Sequence, residues 1–139
     1  MATVEASVVV GSSLAETWDA YFDPARWRHW VDGFEAVLEA EGYPQAGGTL
    51  RWRSTPAGRG EVTERVVEHE ERRVHRVEFA DSATRGEREV TFGIEGDGAR
   101  VRQALSYGLT QRGPIALLAS VLFVRSQMRR SLERSLLAF

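Results

Sequence analysis

The sequence has no cysteine, only four prolines, no lysine and no long apolar run. Without cysteine there is no disulfide, no thiolate nucleophile and no cysteine-type zinc site. All 18 basic residues are arginine, a pattern of GC-rich coding with little bearing on chemistry. The net charge of −2 provides no concentrated positive field. Nucleic acid is therefore not expected as a partner. The longest apolar stretch, Ile115 to Val124, is half of the roughly 20 residues a transmembrane helix needs. The opening MATVEASVVVG lacks a basic start and a long apolar segment, so no secretory leader is expected and a cytoplasmic protein is the default. No Gly-x-Ser-x-Gly elbow is present. The glycine pairs at Gly58–Gly60 and Gly96–Gly98 lack the lysine and following helix of a phosphate loop.

What is present fits one domain over residues 1–139. A chain of this size buries roughly two-thirds of its unfolded surface, enough for a core and a cavity. Its hydrophobic fraction of 42% is ordinary for a globular protein.

Thr3 to Gly11 is β-rich and reads as a first strand. Ser13-Leu14-Ala15-Glu16 fits a capping box at a helix start. Leu14, Trp18 and Tyr21 or Phe22 fall on one face of that helix. Asp23-Pro24 starts a second short helix, with Asp as cap and Pro at the first position, and Gly33 ends it. Six strands follow: Phe34–Glu41, Gly48–Ser54, Gly60–His69, Arg73–Ala80, Glu87–Glu95 and Arg100–Leu109. The breaks between them are short, so neighbouring strands run antiparallel. Val90, Phe92 and Ile94 share one face, as do Val101, Leu105, Tyr107 and Leu109. Gly113-Pro114 opens a long helix that runs almost to Phe139. The expected fold is α+β: a seven-stranded antiparallel sheet curved around a long C-terminal helix, with two short helices between strands 1 and 2.

This order of elements, with the stretches FDPARWRHWVDGFEAVLEAEG, GGTLRWRS, GRGEVTERVVEHEERRVHRVEF and RGPIALLASVLFVRSQMRRSLERSLLAF, resembles the START-like (SRPBCC) superfamily. More narrowly it resembles the bacterial polyketide cyclase/dehydrase-type branch. The resemblance covers nearly the whole chain and implies the helix-grip architecture, with a cavity between sheet and C-terminal helix. Members of the superfamily carry lipids, bind hormones or polyketides, cyclise aromatic precursors or act as co-chaperones, and fold alone does not choose among these.

The resemblance places the second short helix at one end of the cavity. Trp27 and Trp30 then read as a plug of core aromatics, with ligand contact as the alternative at Trp30. The expected lining is Trp30, Trp52, Phe79, Phe92, Tyr107, Leu118 and Val121, with polar points at His75, Gln103 and Arg125. Apolar walls with a few placed polar groups are what a small-molecule site needs.

Leu117, Leu118, Val121, Val124, Met128, Leu132, Leu136 and Phe139 form one helical stripe, with Arg125 in its middle. Arg125 either snorkels, pairs with a sheet carboxylate, or anchors an acidic ligand. Ile115, Ala119, Leu122 and Phe123 lie off that stripe, and a homodimer through them is the expected cover. Glu64 and His75 are the candidate proton-transfer residues. The strand register decides whether Glu64 faces inward with Val62 and Val66, or whether Thr63, Arg65 and Val67 do. His69 and His75 read as neighbours across a solvated hairpin tip. They are too few for a zinc site, so neither a metal nor a cofactor is expected. The leading function is binding of a hydrophobic or aromatic small molecule. A polyketide cyclase or dehydratase and a co-chaperone-like interaction protein are the alternatives.

Overall fold

The computed structural model describes residues 2–31, 33–54, 60–82, 84–109 and 139. The expected C-terminal helix from Gly113 lies outside the described residues, as do Leu118, Val121, Arg125 and the proposed dimer face of Ile115, Ala119, Leu122 and Phe123.

Strand β1 (Ala2–Val10) leads into helix α1 (Leu14–Tyr21), one 3-10 turn (Pro24–Arg26) and the single-turn helix α2 (Trp27–Trp30). Six strands follow: β2 (Phe34–Glu41), β3 (Thr49–Ser54), β4 (Glu61–Glu70), β5 (Val74–Ala80), β6 (Thr84–Glu95) and β7 (Gly98–Leu109). They form one antiparallel sheet in the order β1-β7-β6-β5-β4-β3-β2. The meander from β2 to β7 follows from its short connections. β1 pairs with β7, so the two sheet edges are β1 and β2.

The Ser13 half of the capping box forms, while the Glu16 carboxylate accepts from the Ser13 hydroxyl. Ser13 Oγ accepts from Glu16 N at 3.1 Å and lies 3.2 Å from the Glu16 carboxylate. The second helix is shorter than the sequence suggests. Asp23 caps a 3-10 turn through Ala25 N, and α-helical geometry is confined to Trp27–Trp30. Gly33 then takes a left-handed φ of 74° and turns the chain into β2.

One face of the sheet is buried and carries the two helices. Trp18 of α1 meets Phe92 edge-on at 4.8 Å, and Phe22 lies 4.7 Å from His75. Trp27 and Trp30 are both buried. The Trp27 indole N–H donates to Tyr21 O at 2.8 Å, which fastens α2 to the end of α1. Phe139 packs on Trp30 and Tyr21 at 4.8 and 5.7 Å between ring centres. The aromatics of the opening helices are thus packed into the core.

Two sequence expectations are corrected here. β6 begins at Thr84, three residues before the expected Glu87. Asp81 makes the preceding turn tight, accepting from Thr84 N at 2.8 Å and from Thr84 Oγ1 at 2.9 Å. Gly86 therefore sits inside the strand, paired with Tyr107. A Cβ there would come within 1.9 Å of Ser106 O, so the glycine marks a close backbone approach. The second correction is Ile94, which is 76% exposed although its alternation matches Val90 and Phe92. It lies at the β6–β7 hairpin end, next to the Gly96 turn.

Candidate functional site

Register places each candidate. Glu64 pairs with Leu50 on one side and Phe79 on the other, and all three are buried. Val62, Glu64 and Val66 are therefore the inward set of β4, and Thr63 and Arg65 the outward one. Trp52 lies one strand away on the same face, opposite Val62. On β6 the inward alternation Arg88-Val90-Phe92 faces Leu105, Gln103 and Val101 of β7.

These positions build a buried polar cluster in an aromatic wall. Arg88 reaches across β5 to Glu64 and binds it with both terminal nitrogens, Nη2 to Oε1 at 3.0 Å and Nη1 to Oε2 at 3.2 Å. The Trp52 indole donates to Glu64 Oε2 at 2.9 Å. The side chain of Glu64 is 2% exposed and that of Arg88 15%. Burial works against the Arg88 charge, but the facing Glu64 carboxylate outweighs it and holds the guanidinium well above its usual pKa. Tyr21 adds a buried phenol, its oxygen accepting from Gln103 Nε2 at 2.8 Å. Its pKa is pushed up to about 12, chiefly by burial, with Arg88 opposing and Glu64 assisting. Burial also lifts Tyr43 well above the usual tyrosine value, with Glu64 adding to the effect.

The two histidines depart from expectation. His69 and His75 are cross-strand partners, but they do not sit at a solvated tip. His75 is 0% exposed, and its Nδ1 lies 2.9 Å from His69 Nδ1. His69 also lies under Trp18 and Phe22, at 5.0 and 5.2 Å between ring centres. The reason is tertiary: α1 folds over this end of the hairpin and covers it. Burial first, then the charge of Arg88, pushes the His75 pKa down to about 3. His69 is lowered by burial as well. Among the described residues no group of three or more His, Asp or Glu is placed to hold a metal ion.

Of the expected lining, Trp30, Trp52, Phe79, Phe92, Tyr107, His75 and Gln103 are all buried. Trp30, Trp52, Phe79, Phe92 and Tyr107 belong to one apolar cluster. Glu64 takes the inward option. Arg88, Tyr21 and Tyr43 complete the polar cluster and were absent from the sequence-based list of site residues. Arg88 was findable. It lies inside the expected strand Glu87–Glu95, at period two with Val90 and Phe92, so alternation alone would have placed it on the inward face. An open groove of about 690 Å³ is lined by the outward residues Thr49, Arg51, Thr63, Arg65, Glu78 and Arg85 and also by Leu50, Glu64 and Phe79.

A seven-stranded antiparallel sheet with short helices between its first two strands and a buried, partly polar inner face defines the helix-grip class. Over residues 1–139 the chain matches the family model described as polyketide cyclase / dehydrase and lipid transport. It belongs to that family, within the START-like (SRPBCC) superfamily. No curated protein matches the chain significantly. Solved structures share its fold at low identity. A protein of unknown function from Staphylococcus aureus is 13% identical, with 99% of this chain and 90% of that one covered at a TM-score of 0.77. Truncated norcoclaurine synthase from Thalictrum flavum is 13% identical, with 94% and 88% covered at 0.67. CalU16 from Micromonospora echinospora is 18% identical, with 94% and 71% covered at 0.64. Among the described residues no helix is long and apolar enough to cross a membrane.

Proposed function

We propose that this protein binds a hydrophobic or aromatic small molecule, of lipid or polyketide type, against the inner face of its sheet. The observation that carries the reading is the buried Glu64–Arg88–Trp52 cluster set in an aromatic wall. Small-molecule sites combine apolar surface with a few fixed polar groups in this way. Family membership supports the same reading.

Binding without turnover is favoured over cyclase or dehydratase chemistry by the state of the candidate proton carriers. Both oxygens of Glu64 already accept N–H donors. His75, with its pKa near 3, is a weak base at neutral pH. The norcoclaurine synthase likeness is one of fold.

Native mass spectrometry of freshly purified protein is the direct test. A co-purifying hydrophobic molecule, together with uptake of an apolar fluorescent dye that fatty acids or aromatic polyketides displace, is the expected result. Failure to take up any apolar probe overturns the reading.

A further inference from the structure

The two edges of the sheet are built differently. β2 is blunted against further pairing. Its register against β3 shifts twice, between Phe34 and Ala36 and between Val37 and Glu39, and it carries the exposed glutamates Glu35, Glu39 and Glu41. Irregular, charged edges are how sheets avoid pairing with other chains. β1 has neither protection. All nine residues of Ala2–Val10 pair with β7 in unbroken register, with no proline and no arginine among them. Its one charge, Glu5, is held by Arg102 of β7. Among the described residues no strand pairs with the other side of β1. Such an edge presents a row of backbone N–H and C=O groups ready to pair.

The sequence of β1 is also complementary to itself. Turned antiparallel about Ala6, its midpoint, the strand meets a copy of itself over its full length. Residues of one face then stand opposite each other: Val4 to Val8, Ala2 to Val10, Thr3 to Val9 and Glu5 to Ser7. Arg100 Nη1 donates to Ser7 Oγ at 3.0 Å. Each Glu5 would thus stand between the Arg102 that holds it and the Arg100 that holds Ser7 of the copy. A pairing centred on Glu5 would instead set two carboxylates face to face, which is unfavourable.

We infer that β1 is a homodimer interface: two copies join edge to edge, antiparallel about Ala6, and their sheets become one continuous sheet. A two-fold contact uses the same edge twice and closes on itself, leaving the blunted β2 edges outermost. A nine-residue pairing runs about 30 Å and adds about eight to ten backbone hydrogen bonds. This surface is separate from the one expected on Ile115, Ala119, Leu122 and Phe123, and it does not depend on the proposed ligand.

Light scattering on the full-length protein, from micromolar to millimolar concentration, should give twice the 15.6 kDa of the chain. Ser7→Glu sets a glutamate opposite Glu5 twice in the dimer and should weaken association about tenfold. In the monomer the same side chain faces Arg102, its register partner, so the thermal midpoint should not fall. Adding Glu5→Gln removes the opposing charge and should restore the dimer. The chain has no cysteine, so Ala6→Cys introduces a single thiol opposite its own copy, within the span a disulfide bridges. Mild oxidation should then join two chains, whereas Val37→Cys on the β2 edge should stay uncrosslinked. A monomer at every concentration overturns the inference. So does a dimer that Ser7→Glu leaves intact or that Ala6→Cys fails to crosslink, because its contact lies on another surface. A double variant that associates as weakly as Ser7→Glu alone overturns the register about Ala6.

Discussion

The two faces of the sheet carry the same ion-pair chemistry in opposite surroundings. On the outer face Arg65 and Glu78 meet at 3.0 Å with side chains 58% and 53% exposed, and Arg100 holds Glu95 at 2.7 Å. On the inner face Arg88 and Glu64 meet at the same 3.0 Å but are almost sealed. The separations barely differ, so distance does not set what each pair is worth. Water does. Exposed pairs contribute at most about 1 kcal/mol because solvent screens them and ordering two long side chains opposes them. A sealed pair is costly to assemble and more costly to break singly. The outer pairs are solvated, and the inner pair is sealed.

The sharpest way to break this comparison is to strip one partner from each pair. Glu64→Ala leaves Arg88 buried and uncompensated and should lower stability by about 3–5 kcal/mol in urea denaturation. The double substitution Glu64→Leu with Arg88→Met should recover most of that loss. If the double variant is as unstable as the single one, the pair is not an isolated unit.

Two glycines of β6 give the second test. A Cβ on Gly86 would run into the Ser106 backbone, whereas one on Gly93 has nothing within 4 Å. Gly86→Ala should cost roughly 1–3 kcal/mol through overpacking, and Gly93→Ala should be neutral or mildly stabilising. Thermal midpoints of the two variants compare them directly.

The third test uses pH. His75 has a folded pKa near 3 against 6.5 for the ordinary imidazole. Between those values the unfolded chain binds more protons than the folded one, so stability must fall as pH drops from 6.5 toward about 3. The slope attributable to this histidine is at most about 1.4 kcal/mol per pH unit, with His69 adding in the same direction. His75→Gln should flatten the acid limb of a stability–pH profile. An unchanged limb would mean that His75 binds its proton equally well in the folded and unfolded states.

The smallest effect belongs to the outer face. Glu78→Gln should change stability by less than about 1 kcal/mol, and added salt should shrink even that. A larger loss would mean that the outer ladder is more than a solvated surface.

The sequence was most legible where the physics is local. The capping box at Ser13 and Glu16, the inward stripe of α1, the strand count and their antiparallel order can all be read from propensity, turn residues and period. Family resemblance was readable too, because it depends on the order of elements. The site was legible in part. Trp30, taken from the resemblance, and Trp52, Phe79, Phe92, Tyr107, His75 and Gln103 on the strands were on the expected lining and are buried. Glu64 stayed undecided because its strand carries valine on both faces, at Val66 and Val67. Arg88 was missed although it lies inside the expected strand Glu87–Glu95, because nothing local to that strand reveals its partner Glu64, two strands away.

The sequence alone therefore determined most of the elements, the antiparallel pairing of the β2–β7 meander and the family, since the meander depends on contacts between near neighbours in the chain. Only tertiary structure decided that Arg88 spans a strand to clamp Glu64, that Tyr21 meets Gln103 from 82 residues away, and that α1 covers the His69–His75 pair. Those facts depend on which faces of distant segments close on one another. Burial there turns ordinary side chains into sealed charges, raised phenols and a neutral histidine.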